Sequence, residues 1–187
     1  VLNITRPDLI LDIHRRYLAA GADLIETNTF SSQIISQADY QLEHLSRPIA
    51  LAGARLARKA ADEFSTPQWP RFVCGSVGPT NKTCSMSPDV SDAAARDITY
   101  DQLFDAYREQ VGALIEGGVD AILIETIFDT LNAKAAIDAT MTEMQMQGVD
   151  LPIMLSMTVS DLAGRTLSGQ TIEGFLASIS SYPIFSV

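Results

Sequence analysis

Two carboxylates stand in this sequence where carboxylates are costly. The stretch "GADLIETNTF", residues 21–30, and the stretch "GVDAILIETIFD", residues 118–129, share one plan: a Gly, an Asp two residues later, an aliphatic run, then Glu-Thr. Glu26 and Glu125 therefore end segments that otherwise read as buried strands. A charged group in such a place must meet a cation or turn out to water. Two acids beside one small cavity suit a cationic group, either the ammonium of an amino acid or a metal ion. The alternative is that each Glu turns outward to cap or pair with the helix that follows. The matched contexts favour one shared pocket. Asn28, two residues after Glu26, would then point inward nearer the rim. Gly75, Ser76 and Gly78 on an intervening strand would leave room for a ligand.

The elements that must hold these residues alternate between helix and strand. "TRPDLILDIHRRYLAAG" predicts a helix capped by Thr5, with Pro7 in its first turn, Asp8 at its positive end and Gly21 stopping it. Ile10, Ile13, Tyr17 and Leu18 supply its expected apolar face, and a strand over Ala22–Phe30 follows. A second helix begins near Pro48, with Ile49, Ala52, Leu56 and Ala60 on one side. "RFVCGSVGP" is a short strand ending in a glycine-rich turn. "TNKTCSMSPDVSDAAARD" is a long loop, and loops of that length in compact domains tend to be functional or mobile. "TYDQLFDAYREQVGALIEGG" is the clearest helix, opened by a Thr99/Gln102 capping box. A strand over Ala121–Phe128, a helix over Leu131–Met146, the strand "PIMLSMTV" and a helix from about Thr171 to Ser180 follow, with a last strand beginning at Ile184.

Strands this apolar are covered on both sides, which means a parallel sheet with helices. A doubly wound sheet and a (βα)8 barrel both satisfy the order; the twin Glu-Thr units favour the barrel, whose equivalent positions recur around a ring. A complete barrel needs about 250 residues, so the 187 here predict an incomplete one, lacking its first and closing strands. The start at Val1 without Met and the strand-like end "YPIFSV" give the same expectation of a piece of a longer polypeptide.

Composition narrows the function classes. The chain is 47% hydrophobic with a net charge of −10, which is globular and argues against a nucleic-acid surface. No apolar run is long enough for a membrane helix. Cys74 and Cys84 cannot build a disulfide framework and suit the reducing cytosol. Cys74 reads as a buried small hydrophobe and Cys84 as a loop thiol. The sequons at Asn3 and Asn81 read as chance, and His14 and His44 as ordinary structural residues, neither with a second ligand at metal spacing. "GPTNKT" lacks the second glycine of a phosphate loop. "GRTLSGQT" is either a loop that closes over substrate or contacts a partner module, or plainly a loop with the start of the next helix at Ser168–Thr171.

Four motifs, "GADLIETNTFSSQ", "GSVGPTNKTCSMSPDV", "AILIETIFDTLNAKAA" and "GRTLSGQTIEGF", closely resemble the N-terminal homocysteine-binding domain of cobalamin-dependent methionine synthases. The likeness runs in order from about Arg6 to the last residue, so residues 1–187 are expected to form one partial homocysteine-binding barrel domain. The resemblance implies thiol methylation. In that family homocysteine's sulfur binds zinc held by three cysteines, then takes a methyl group from methylcobalamin, which other modules recharge from methyltetrahydrofolate. It also implies that Glu125 holds the substrate ammonium and that Glu26, Asn28 and Thr29 line the pocket. The expected partners are homocysteine and the folate- and cobalamin-binding modules, with neither nucleic acid nor membrane. The family's zinc cysteines and its "D-G-A-M-G-T" first strand have no counterpart here, and Cys74 and Cys84 fall at no zinc position. Two rivals remain: a cobalamin-independent homocysteine methyltransferase with a sulfonium or betaine donor, and a non-catalytic remnant of the barrel.

Overall fold

The computed structural model describes residues 1–187. Its elements in chain order are α1 (Leu2–Thr5), α2 (Pro7–Ala19), β1 (Leu24–Glu26), α3 (Ile34–Ala38), a 3-10 turn (Glu43–Leu45), α4 (Ser46–Phe64), β2 (Phe72–Val77), α5 (Tyr100–Glu116), β3 (Ala121–Ile127), α6 (Thr130–Gln147), β4 (Ile153–Met157) and α7 (Ile172–Ile179). The protein is an α/β fold around a four-stranded parallel sheet in the order β1-β2-β3-β4. Neighbours in the sheet are neighbours in sequence, so these strands contain no point where the winding reverses, as a doubly wound sheet must. Successive helices pack on one another, α2 on α4, α4 on α5 and α5 on α6.

Each strand alternates between two faces. Ile25, Val73, Val77, Ile122, Ile124, Ile153 and Leu155 enter the helix-covered core with Leu114, Ala57 and Ile137. The other face is open: Leu24 and Phe72 keep 40% and 45% of their surface exposed, and Glu26 lies on the same side. A fifth strand position is marked by one parallel bridge, Met154 to Ser186, with Leu155 N–H donating to the Ser186 carbonyl at 2.9 Å.

The twin Gly-x-Asp openings have the same job in both places. Gly21 and Gly118 sit at φ 105° and 88°, turning the chain from helix into strand where a side chain would be strained. Asp23 then pairs with Arg71 at 3.0 Å, and Arg71 stacks on Trp69 at 3.5 Å from the ring centroid. Asp120 pairs with Arg58 at 2.7 Å and also accepts from Val73 N–H at 2.7 Å. Both aspartates thus tie the N-terminal ends of their strands, leaving the glutamates at the C-terminal ends.

Several local expectations are corrected. Thr5 does not cap α2; it ends the one-turn α1, and Arg6 occupies the cap position without a side-chain bond. The buried face of α2 is Ile10, Leu11, His14 and Leu18, while Ile13 and Tyr17 stand exposed beside the free edge of β1. In α4 the buried face runs through Ile49, Ala50, Gly53, Ala54, Ala57, Ala60 and Ala61, small residues that let α4 approach α5 closely. The Thr99/Gln102 box is present, Gln102 N–H donating to Thr99 Oγ1 at 3.3 Å and Thr99 N–H to Gln102 Oε1 at 3.0 Å. The expected strand Ala22–Phe30 shortens to Leu24–Glu26. At Ser76 side chains take over the pairing: Ser76 N–H donates to Thr27 Oγ1 at 3.0 Å, and Thr29 Oγ1 donates to the Ser76 carbonyl at 2.7 Å.

Candidate functional site

The open face carries both glutamates at its C-terminal end. Glu26 is level with Cys74 across the ladder, Ser76 lies two residues further along β2, and Ser76 is level with Leu123 of β3. Glu125, two residues beyond Leu123, accepts a hydrogen bond from the Ser76 hydroxyl. Burial raises the Glu26 pKa above the ordinary carboxylate value, and the nearby charge of Glu125 raises it further. Neither carboxylate takes part in any ion pair of the chain. Glu26 is exposed and Glu125 half-buried, and two neighbouring like charges without a counter-charge are an arrangement that a bound cation would relieve.

Cys74 lies between them, fully buried. Burial first, then the charges of Glu26, Glu125 and Asp120, push its pKa up to about 12, so at neutral pH it is a thiol and neither a nucleophile nor a metal-binding thiolate. Cys84, expected as a loop thiol, is buried as well, with its pKa raised by burial and by Asp129; its Sγ faces the Ile98 carbonyl at 3.7 Å. No three His, Cys, Asp or Glu side chains converge anywhere in the chain. The residues present therefore do not make a zinc site, which needs three or four convergent ligands.

β3 reaches Glu125 through an irregularity. Ile124 pairs with Leu155 and Ile127 with Met157, so three steps along β3 match two along β4. The extra residue is a β-bulge, and within it Thr126 adopts φ 58°. A β-branched residue in the left-handed region costs about 1–3 kcal/mol and persists only where its surroundings hold it. The bulge also resets the alternation, so that Ile127 returns to the core beside Ile122 and Ile124.

The other expected contacts are placed as follows. Asn28 is exposed on the Glu26 side of its segment, and its side-chain amide donates to Asn3 Oδ1 at 2.8 Å. Thr29 is turned the opposite way: it is buried, its hydroxyl is committed to Thr27 and Ser76, and its methyl packs against Gly53. Its position is that of a residue shaping the end of β1. Asn3 is itself buried, donating to the Asn28 and Ile49 carbonyls at 2.8 and 2.9 Å, so its sequon is spent inside the fold. His14 is buried in α2, where burial lowers its pKa, and His44 is exposed. No helix follows "GPTNKT", so no phosphate loop forms.

Two residues that sequence reasoning passed over fix the rim. Asp129 caps α6, accepting from Leu131 and Asn132 N–H at 2.9 and 3.4 Å, and also from Ser85 N–H at 3.1 Å and the Ser85 hydroxyl. Asn132 accepts from Cys84 N–H at 3.0 Å and donates to the Lys82 carbonyl at 2.8 Å. Together they clamp the long loop after β2 to the end of β3. The "GRTLSGQ" segment reaches the same place, with the Ser168 hydroxyl donating to the Phe128 carbonyl at 2.9 Å before Thr171 caps α7. An Asp directly before a helical run was a legible cap signal; Thr126 had no signal in the sequence at all.

The chain resembles crystal structures of the homocysteine methyltransferase MmuM from Escherichia coli. For the metallated form the TM-score is 0.75 at 23% identity, over 97% of this chain and 62% of that one. The oxidized form gives 0.75 at 22% identity, over 97% and 61%, and the apo form 0.69 at 23% identity, over 97% and 60%. The chain thus spans about 62% of the length of the first of these proteins. At that identity the likeness speaks for the fold alone. The sequence profile described as homocysteine S-methyltransferase matches residues 1–187, the whole of the chain. The chain belongs to the homocysteine S-methyltransferase family.

Proposed function

We propose that this chain forms the ammonium-binding side of a homocysteine pocket in a (βα)8 barrel, and that the whole protein methylates the thiol of homocysteine to give methionine. The observation that carries this reading is the pair Glu26 and Glu125: two carboxylates at the C-terminal end of an open sheet face, with no cation of the chain's own. Glu125 is the principal contact, because the Ser76 hydroxyl holds its carboxylate in place. Glu26 adds negative potential, and Asn28 stands at the rim. Thr29 contributes by shaping the segment between them.

The motifs shared with cobalamin-dependent methionine synthases support methylcobalamin as donor, recharged from methyltetrahydrofolate by further modules of the polypeptide. Zinc would activate the thiol by stabilising its anion near neutral pH, with ligands outside these 187 residues. Membership of the family is equally consistent with the second reading, a homocysteine methyltransferase using a sulfonium or betaine donor. The unpaired thiols of Cys74 and Cys84 fit a cytosolic setting, and no helix is long and apolar enough to cross a membrane.

The test supplies the native polypeptide with homocysteine and, in parallel, methyltetrahydrofolate with cobalamin, a methylsulfonium compound, or betaine, and follows methionine by mass spectrometry. Methionine from the folate and cobalamin mixture alone is the expected result. Methionine from one of the other donors establishes the second reading, and none from any donor refutes both. Replacing homocysteine with 4-mercaptobutanoate, which lacks the ammonium, should abolish efficient turnover.

A further inference from the structure

The backbone directly after Glu125 is one that a regular strand would not adopt. In a regular strand Thr126 would face the core and Ile127 would stand beside Glu125 on the open face. The bulge between Ile124 and Ile127 reverses this: Ile127 is 4% exposed within the core, and Thr126 stays half-buried outside it. Glycine would occupy φ 58° without strain, and asparagine with little. The residue present is a threonine whose hydroxyl makes no hydrogen bond in the chain, and no side-chain bond of its own explains why it is held there. What the conformation accomplishes is geometric, since it lies between Glu125, which accepts from the Ser76 hydroxyl, and Ile127, which rejoins the ladder opposite Met157.

We propose that Thr126 is a positioning residue, whose left-handed backbone sets the bulge that presents the Glu125 carboxylate to a substrate ammonium. This rests on the reading of Glu125 given above. The role belongs to the backbone angle at residue 126 and runs entirely through Glu125.

The experiment measures homocysteine affinity calorimetrically in the native polypeptide for Thr126→Gly, Thr126→Ser, Thr126→Ile and Thr126→Pro, each checked for folding by circular dichroism. Gly and Ser should bind within about threefold of Thr126, since both accept or keep the positive φ. Ile, bulkier and poorly tolerated there, should bind about threefold or more weakly. Pro, whose ring fixes φ near −65°, should lose about tenfold or more. If the proline variant does not fold, the isoleucine variant carries the comparison. Affinity for 4-mercaptobutanoate should be the same throughout, which a general structural defect would not allow. None of the losses should persist in a Glu125→Gln background. A flat homocysteine series across the folded variants overturns the proposal, as does a loss that survives in that background. A loss in Gly with retention in Ser would make the hydroxyl a direct contact and also overturn it. An unaltered affinity in Glu125→Gln itself overturns the ammonium reading instead, so the two failures are separable.

Discussion

Replacing Glu125 with Gln removes one charge and almost nothing else. The amide oxygen can still accept from the Ser76 hydroxyl, so the side chain keeps its anchor and the fold its contacts. Stability at neutral pH should hold or rise slightly, because one of two facing like charges is gone. Binding should respond quite differently. A hydrogen bond to a charged group is worth about 1.5–3 kcal/mol, so homocysteine affinity should fall roughly 10- to 150-fold. A second consequence needs no ligand. The charge of Glu125 is one of the two causes that raise the Glu26 pKa, so in Glu125→Gln the Glu26 carboxyl should titrate lower than in the parent, though burial still keeps it raised. Calorimetric titration with homocysteine and carboxyl-resolved NMR titration of Glu26 measure the two effects on the same sample. An unchanged affinity would mean that the carboxylate serves the scaffold, and an unmoved Glu26 would mean that the two groups are not electrostatically coupled.

The remaining expectations concern acid–base behaviour, the rim and metal. Glu26 has a folded pKa raised above its unfolded value, so its contribution to stability is fully present below the unfolded value and is lost as pH rises through the folded one; Glu26→Gln should flatten that part of the stability profile, read from denaturant midpoints across mildly acidic pH. Asp129→Ala removes the α6 cap and leaves Ser85 N–H without its acceptor, costing roughly 2–4 kcal/mol by chemical denaturation; a loss below about half a kilocalorie would show that the loop is held by other contacts. These 187 residues expressed alone should retain no stoichiometric zinc after dialysis against a chelator, since no three ligands converge; one tightly held zinc per chain would contradict the ligand geometry described above.

Much of the fold was legible because periodicity and punctuation agreed. The helix opened by Thr99 has its apolar residues at helical spacing and its box in place, and it formed within a residue of expectation. β3 and β4 are apolar runs between turn signals and were equally plain. β1 was overestimated because Thr27 and Thr29 have the β-branched composition of a strand, whereas their hydroxyls bond to the Ser76 backbone. The face of α2 was misjudged for a different reason. Periodicity assigns a helix one apolar stripe, but Ile13 and Tyr17 lie beside the free edge of β1, outside the contact with α4. At the site, the glutamates were readable as charges at the ends of buried strands. Thr126 was not, because a positive φ at a non-glycine residue depends on the register between β3 and β4, which no local pattern records.

The rungs at Ser76 between the β1 segment and β2 have an unusual chemical identity, with backbone pairs on either side, Thr27 N–H to the Cys74 carbonyl and Gly78 N–H to the Phe30 carbonyl. Backbone hydrogen bonds are common to every residue but proline, so point substitution rarely removes them. Where Thr27 and Thr29 pair with Ser76, both partners that β2 would find on a neighbouring backbone are supplied by hydroxyls. A single change to valine, identical in outline, would erase a rung there while leaving the chain's path intact. The sheet is therefore heritable in two different ways, by chain course along most of its length and by residue identity at the end nearest Glu26. Sequence drift in relatives could lengthen, shorten or loosen the mouth of this sheet one hydroxyl at a time without refolding anything beneath it.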